Sequence, residues 1–115
     1  MRELLQDAKH ILLEARKLRE PPFRDEKILA SWNGMAIRAL AEAGGALNQP
    51  RFREAATSGL EFLLGSMREG DRLRRSYKDG RARIDAFLED YAAVGNAILT
   101  VYEATLEPRW LDEAA

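Results

Sequence analysis

The sequence predicts an all-α chain of antiparallel helical hairpins, interrupted once by a small β-hairpin or ordered loop near residues 72–84. Three observations carry that reading. Apolar residues recur at steps of three and four through four long segments. Those segments alternate between one-sided and nearly all-apolar character. Only one stretch, centred on Asp79-Gly80, exchanges the helical period for a two-residue alternation.

From Glu3 to Arg19, Leu4, Ala8, Ile11, Leu12, Ala15 and Leu18 mark one helical face, while Glu3, Asp7, Lys9, Glu14, Arg16 and Lys17 take the other. Pro21 and Pro22 then forbid helix and impose an extended stretch up to about Leu29. A second helix spans about Ala30 to Leu47, with Trp32, Met35, Ala36, Ala39, Leu40, Ala43 and Leu47 as its stripe. Only Arg38 and Glu42 are charged there, so burial on nearly every side is expected. Pro50 suits the first position of a third helix, striped by Phe52, Ala56, Gly59, Leu60, Leu63 and Met67 and expected to end at Gly70. The run LRRSYKDGRARI alternates about Asp79-Gly80, the dipeptide of a tight hairpin. Asp85 is expected to cap a fourth helix running to about Leu106, with Leu88, Tyr91, Ala92, Gly95, Ile98, Leu99 and Tyr102 as its stripe and no charge between the two tyrosines. Pro108 opens a last helix, PRWLDEAA, which has not made two turns where the sequence stops.

The start PRFREAA at Pro50 returns at Pro108, 58 residues later. The same offset lays Trp32 and Asn33 over Asp90 and Tyr91, and Ala39-Leu40 over Ala97-Ile98. This is a weak internal repeat that pairs one nearly all-apolar helix with one amphipathic helix. In a closed ring of hairpins the inner helices touch neighbours on almost every side, whereas the outer helices bury one face. A free-standing four-helix bundle would give four helices of similar amphipathicity; periodicity by itself leaves both arrangements open. The unfinished last helix is read as a sign that the chain is a piece of something larger.

Composition narrows the chemistry. The 115 residues suit one domain, and eighteen basic against nineteen acidic side chains give no overall bias toward nucleic acid or an anionic membrane. Cysteine is absent, which excludes disulfides, thiol catalysis and Cys-based metal sites. His10 lies among charged residues on the first helix without partners at ligand spacing, so neither metal nor cofactor is expected. No apolar run approaches the roughly 18 residues a membrane span needs. Phosphate loops, zincin helices, nucleophile elbows and dinucleotide fingerprints are missing.

Two motifs carry a resemblance. DEKILASWNG (Asp25 to Gly34) and FLEDYA (Phe87 to Ala92), with Arg19-Glu20-Pro21-Pro22 before them and Tyr102 to Thr105 after them, follow in the order seen in the family of bacterial YyaL and spermatogenesis-associated protein 20. Members of that family join an N-terminal thioredoxin-like domain to a C-terminal helical toroid. The resemblance implies that this chain is about two of the hairpins of a partial (α/α)6 toroid, similar to six-hairpin glycosidases and the N-acylglucosamine 2-epimerase group, from a cytoplasmic protein. It also implies partners in cis: the remaining hairpins and the thioredoxin-like domain, which this chain does not contain.

Both motifs fall at the N-terminal ends of the two apolar helices and, by the repeat, should share one rim. Helix N-termini present free N–H groups to an anionic or hydroxyl-rich ligand. Asp25, Glu89 and Asp90 are the candidate catalytic carboxylates, with Trp32 and Tyr91 to stack on a sugar face, Asn33 to bond hydroxyls and Lys27 to pair an acid. Arg74 and Arg75, in a basic run from Arg72 to Arg83, could hold a phosphate or uronate. Each has a structural reading beside it: Glu89 and Asp90 as dipole-compensating residues, Asp25 and Lys27 as a stapling ion pair, Trp32 and Tyr91 as core, the basic run as a solvated loop or one facing acids elsewhere. The expected function is that of a non-catalytic fragment whose parent binds or processes a carbohydrate-like ligand, hydrolase- or epimerase-like; the alternative is a scaffold that partners the thioredoxin-like domain. Membrane and nucleic acid are not expected partners.

Overall fold

Two helix pairs and a basic hairpin make the body of the molecule in a computed structural model, which describes residues 1–115. In chain order the elements are α1 (Arg2–Lys17), β1 (Ile28–Leu29), α2 (Ala30–Ala46), α3 (Pro50–Ser66), β2 (Arg68–Glu69), β3 (Arg72–Lys78), β4 (Arg81–Asp85), α4 (Leu88–Thr105) and α5 (Arg109–Ala114). A short connection folds α3 back on α2, α4 lies against α2 more extensively than any other pair of elements, and α5 returns onto α4. Ile37, Leu60, Leu63, Val94, Ile98 and Trp110 are buried between these helices. Helical hairpins with a small antiparallel sheet are therefore what this sequence builds.

The sheet centres on β3, which pairs antiparallel with β1, β2 and β4. Asp79 and Gly80 both have positive φ, 52° and 75°, the requirement of the tight two-residue turn that an Asp-Gly pair meets. The W-N-G glycine has an equally physical reason. A Cβ on Gly34 would lie 2.9 Å from the Ala93 carbonyl carbon and oxygen, so only hydrogen lets α2 and α4 approach this closely.

Several expectations are corrected. The third helix ends at Ser66 rather than Gly70, because Arg68 and Glu69 leave it to pair with Leu73 and Arg72; Gly70, at φ 59°, turns between β2 and β3. Asp85 does not cap the fourth helix: it pairs with Arg74 in the sheet, and Phe87 is the residue before the first turn. The first helix buries no residue.

A further correction concerns which faces of α2 and α4 pack; within this chain each helix also keeps an open apolar flank, as a piece of a ring should. The buried face of α2 is Ala30, Ser31, Gly34, Ile37, Ala41 and Gly44, whereas the expected stripe leaves Trp32 and Met35 at 68% and 56% exposure. Likewise α4 buries Asp90, Val94, Ala97, Ile98 and Val101, sharing only Ile98 with its expected stripe. Both helices are apolar on two faces: α2 packs through the one that carries Ala30, Gly34, Ala41 and Gly44, which permits close approach, and α4 through Val94, Ala97, Ile98 and Val101. The offset between repeats holds at the level of elements: α2 and α4 begin 58 residues apart.

Candidate functional site

The N-termini of α2 and α4 meet at one end of the molecule, and the sheet explains why. Strand β1 runs directly into α2 and pairs with β3 at Ile28↔Tyr77 and Leu29↔Ser76. One residue earlier on β3, Arg75 reaches the first turn of α4. Its Nη1 donates to Glu89 Oε1 at 2.8 Å and to Asp90 Oδ2 at 2.9 Å. The guanidinium also lies 4.7 Å from the Phe87 ring centroid, a cation–π contact. Opposite Arg75, Ile84 has φ 64°, uncommon for a β-branched residue, and the β3–β4 ladder skips this pair.

Asp90 is fully buried. Its Oδ2 accepts a second hydrogen bond from the Phe87 backbone N–H at 2.9 Å, the reach-back of a third-position acid to the N-cap. Its Oδ1 makes no hydrogen bond of normal geometry, although the Ser31 hydroxyl lies beside the carboxylate. Burial works against the charge, but the Phe87 N–H, the Ser31 hydroxyl and the Arg75 guanidinium outweigh it and hold this carboxyl below the ordinary aspartate value.

The other candidates are placed as follows. Asp25 and Lys27 form an exposed ion pair at 3.2 Å on the approach to β1; the hydrogen bond from Lys27 is the chief reason the Asp25 carboxyl is also lowered. Asn33 donates from Nδ2 to the Leu29 carbonyl at 2.9 Å, closing the first turn of α2. The Tyr91 hydroxyl accepts the Leu73 N–H at 3.0 Å and ties β3 to α4. Arg74 pairs with Glu69 and Asp85. The acids that pair with Arg74 and Arg75 therefore come from β2, β4 and α4. The structure brings together Arg75, Glu89 and Asp90, and leaves Asp25 and Lys27 as a local pair.

Phe87 and Ser31 escaped the sequence reading. An acid three residues after the N-cap was a usable signal for Phe87; nothing local marks Ser31, which depends on how two helices cross. No three His, Cys or acidic side chains gather where they could hold a metal ion. An open groove of about 380 Å³ lies along α4, lined by Leu64, Leu73, Tyr91, Val94, Gly95 and Ile98, with the Arg68–Glu113 pair at its edge.

Spermatogenesis-associated protein 20 from human is 36% identical to this chain over 124 aligned positions, which take in 99% of the chain. The chain belongs to that family. The mouse protein of the same name matches to the same extent, and an uncharacterised protein of Caenorhabditis elegans is 31% identical over 118 positions. The chain spans 16% of the length of each of these relatives. No family model matches it. No helix is long and apolar enough to cross a membrane.

Proposed function

We propose that this segment is a non-catalytic scaffold unit of a larger helical ring in a cytoplasmic protein, serving to hold neighbouring elements rather than to transform a ligand. The observation that supports this most directly is the placement of Asp90: buried, and engaged by Arg75 and the Phe87 N–H. Arg74, Asn33 and the Tyr91 hydroxyl are likewise engaged within the chain. Those contacts join strand to strand, join the sheet to a helix or close a helical turn, which is what a scaffold asks of its polar residues.

A second reading has its own observation. Trp32 is 68% exposed at the end of α2, and the Glu89 side chain is 65% exposed at the matching end of α4. A flat apolar ring and an accessible carboxylate on one rim are the elements of a sugar subsite. Titrating the chain with mono- and oligosaccharides while following amide chemical shifts decides between the two. The scaffold reading expects no saturable shifts; saturable shifts at Trp32 and Glu89, abolished by Glu89→Gln with the fold intact, would replace it with the carbohydrate reading.

A further inference from the structure

The sheet has two faces of opposite character. Leu73, Arg75 and Tyr77 point inward: Leu73 is buried, Arg75 meets Asp90, and the Tyr77 ring stands edge-on to Phe62 with 5.2 Å between centroids. Alternation along β3 therefore sends Arg72, Arg74, Ser76 and Lys78 outward. Strand register adds Arg83, opposite Ser76, and Arg81, opposite Lys78. Of the acids on this face, Glu69 and Asp85 are both bound to Arg74. Lys78, Arg81 and Arg83 form no ion pair within the chain, and Asp79, in the turn between the strands, pairs with none of them. Arg81 and Arg83 are exposed and Lys78 is half-buried. Like charges directly opposite each other, as at Lys78 and Arg81, work against a hairpin, and no ion pair inside the chain offsets the cost.

We infer that this outward face docks on an acidic surface supplied by the rest of the longer protein, with Lys78, Arg81 and Arg83 making the contact. A carboxylate set between Lys78 and Arg81 turns their mutual repulsion into a shared attraction, and the planar fork of each arginine suits a carboxylate bidentately. The relatives carry most of their length outside the region that this chain matches, so a tethered partner stands at high effective concentration beside the hairpin. A polynucleotide fits less well. The outward positions of β3 and β4 hold no aromatic ring on which a base could stack, and the chain as a whole has a formal charge of −1. The inference rests on reading the chain as a scaffold unit of a longer protein, and it names the contact by which that unit is held.

Side-chain labelling of the isolated chain and of the longer protein tests it, with phenylglyoxal for arginine, an acetylating reagent for lysine and mass spectrometry as the readout. Docking predicts that Lys78, Arg81 and Arg83 react about fivefold or more slowly in the longer protein than in the isolated chain. The double variant Arg81→Glu with Arg83→Glu removes the contact and leaves Lys78 as the reporter. In the isolated chain this variant should keep its circular dichroism, because reversing Arg81 relieves its opposition to Lys78. Lys78 should then react at one rate in both settings. Equal rates for the unaltered protein in the two settings, or protection of Lys78 that survives the double variant, overturns the inference. Protection that disappears on ribonuclease treatment replaces the acidic surface with RNA. Should the double variant misfold, Arg81→Gln with Arg83→Gln repeats the test. Saturable sugar shifts in the titration above leave these rates unchanged, so this inference and the scaffold reading fail separately.

Discussion

Helices α1 and α3 are near-equal in length, 16 and 17 residues, and both are written as amphipathic, yet α3 buries Ala56, Leu60 and Leu63 whereas α1 buries nothing. The difference lies in their connections. Three residues, Leu47 to Gln49, join α2 to α3, and so short a link forces the two to pack as an antiparallel pair. Between α1 and α2 the chain runs through Pro21 and Pro22, which bar helix and leave a long link from Leu18 to Lys27 that does not force the two helices together. An apolar stripe states that a helix wants a partner; the connection decides whether the chain itself supplies one.

The largest expected effect breaks the packed side of this contrast. Leu60 is fully buried, and Leu60→Ala should cost about 2–5 kcal/mol through lost transfer energy and the cavity left behind. Urea unfolding followed at 222 nm checks it; a loss below about 1 kcal/mol would mean that α3 is as loosely held as α1.

Next in size is the polar joint at the α4 N-terminus. Asp90→Ala leaves the Phe87 N–H unpaired and should cost about 1–3 kcal/mol. Its pH dependence has a definite sign. The Asp90 carboxyl is lowered in the folded chain, so the folded state binds fewer protons than the unfolded one as acid is added. Its contribution is complete above the ordinary carboxylate range and drains away as pH falls through that range toward the folded value. Asp90→Asn should therefore flatten the acid side of the melting temperature against pH, and an unchanged acid limb would remove Asp90 from the account.

How far the sequence could be read follows the same division between local and long-range signals. The number and order of the helices, the Asp79-Gly80 turn and the Asp25–Lys27 pair rest on neighbours in sequence, and all were legible; the end of α3 and the cap of α4 were not. The choice of packed face in α2 and α4 was not, because both helices are apolar on two sides, and in α2 the bulkier side, Trp32 and Met35, reads more strongly than the smaller one. Close approach favours the opposite order. Glu69, Asp85, Glu89 and Asp90 as partners of Arg74 and Arg75 were hidden for a related reason: all four lie outside the basic run, and strand register together with the packing of α4 brings them in. That register also turned Asp85 from a cap into a cross-strand partner.

A smaller effect sharpens the point about close approach. Gly34→Ala gains up to about 1 kcal/mol of helix propensity, but its methyl meets backbone atoms of Ala93 that cannot swing aside. Overpacking of this kind costs about 1–3 kcal/mol, so a net loss near 1 kcal/mol is expected. A stabilised variant would show that α2 and α4 can separate freely.

The smallest effect tests the unpacked side of the contrast. Leu12 of α1 is 69% exposed, so Leu12→Ala removes little buried area, and alanine is at least as good a helix former as leucine. The two terms nearly cancel, and the unfolding midpoint should move by less than about 0.5 kcal/mol, against several for the same truncation at Leu60. A cost above about 1 kcal/mol would mean that α1 finds a partner within its own chain. In that case the proline-bearing connection is no barrier to packing, and the contrast between α1 and α3 must come from something other than the length of the link.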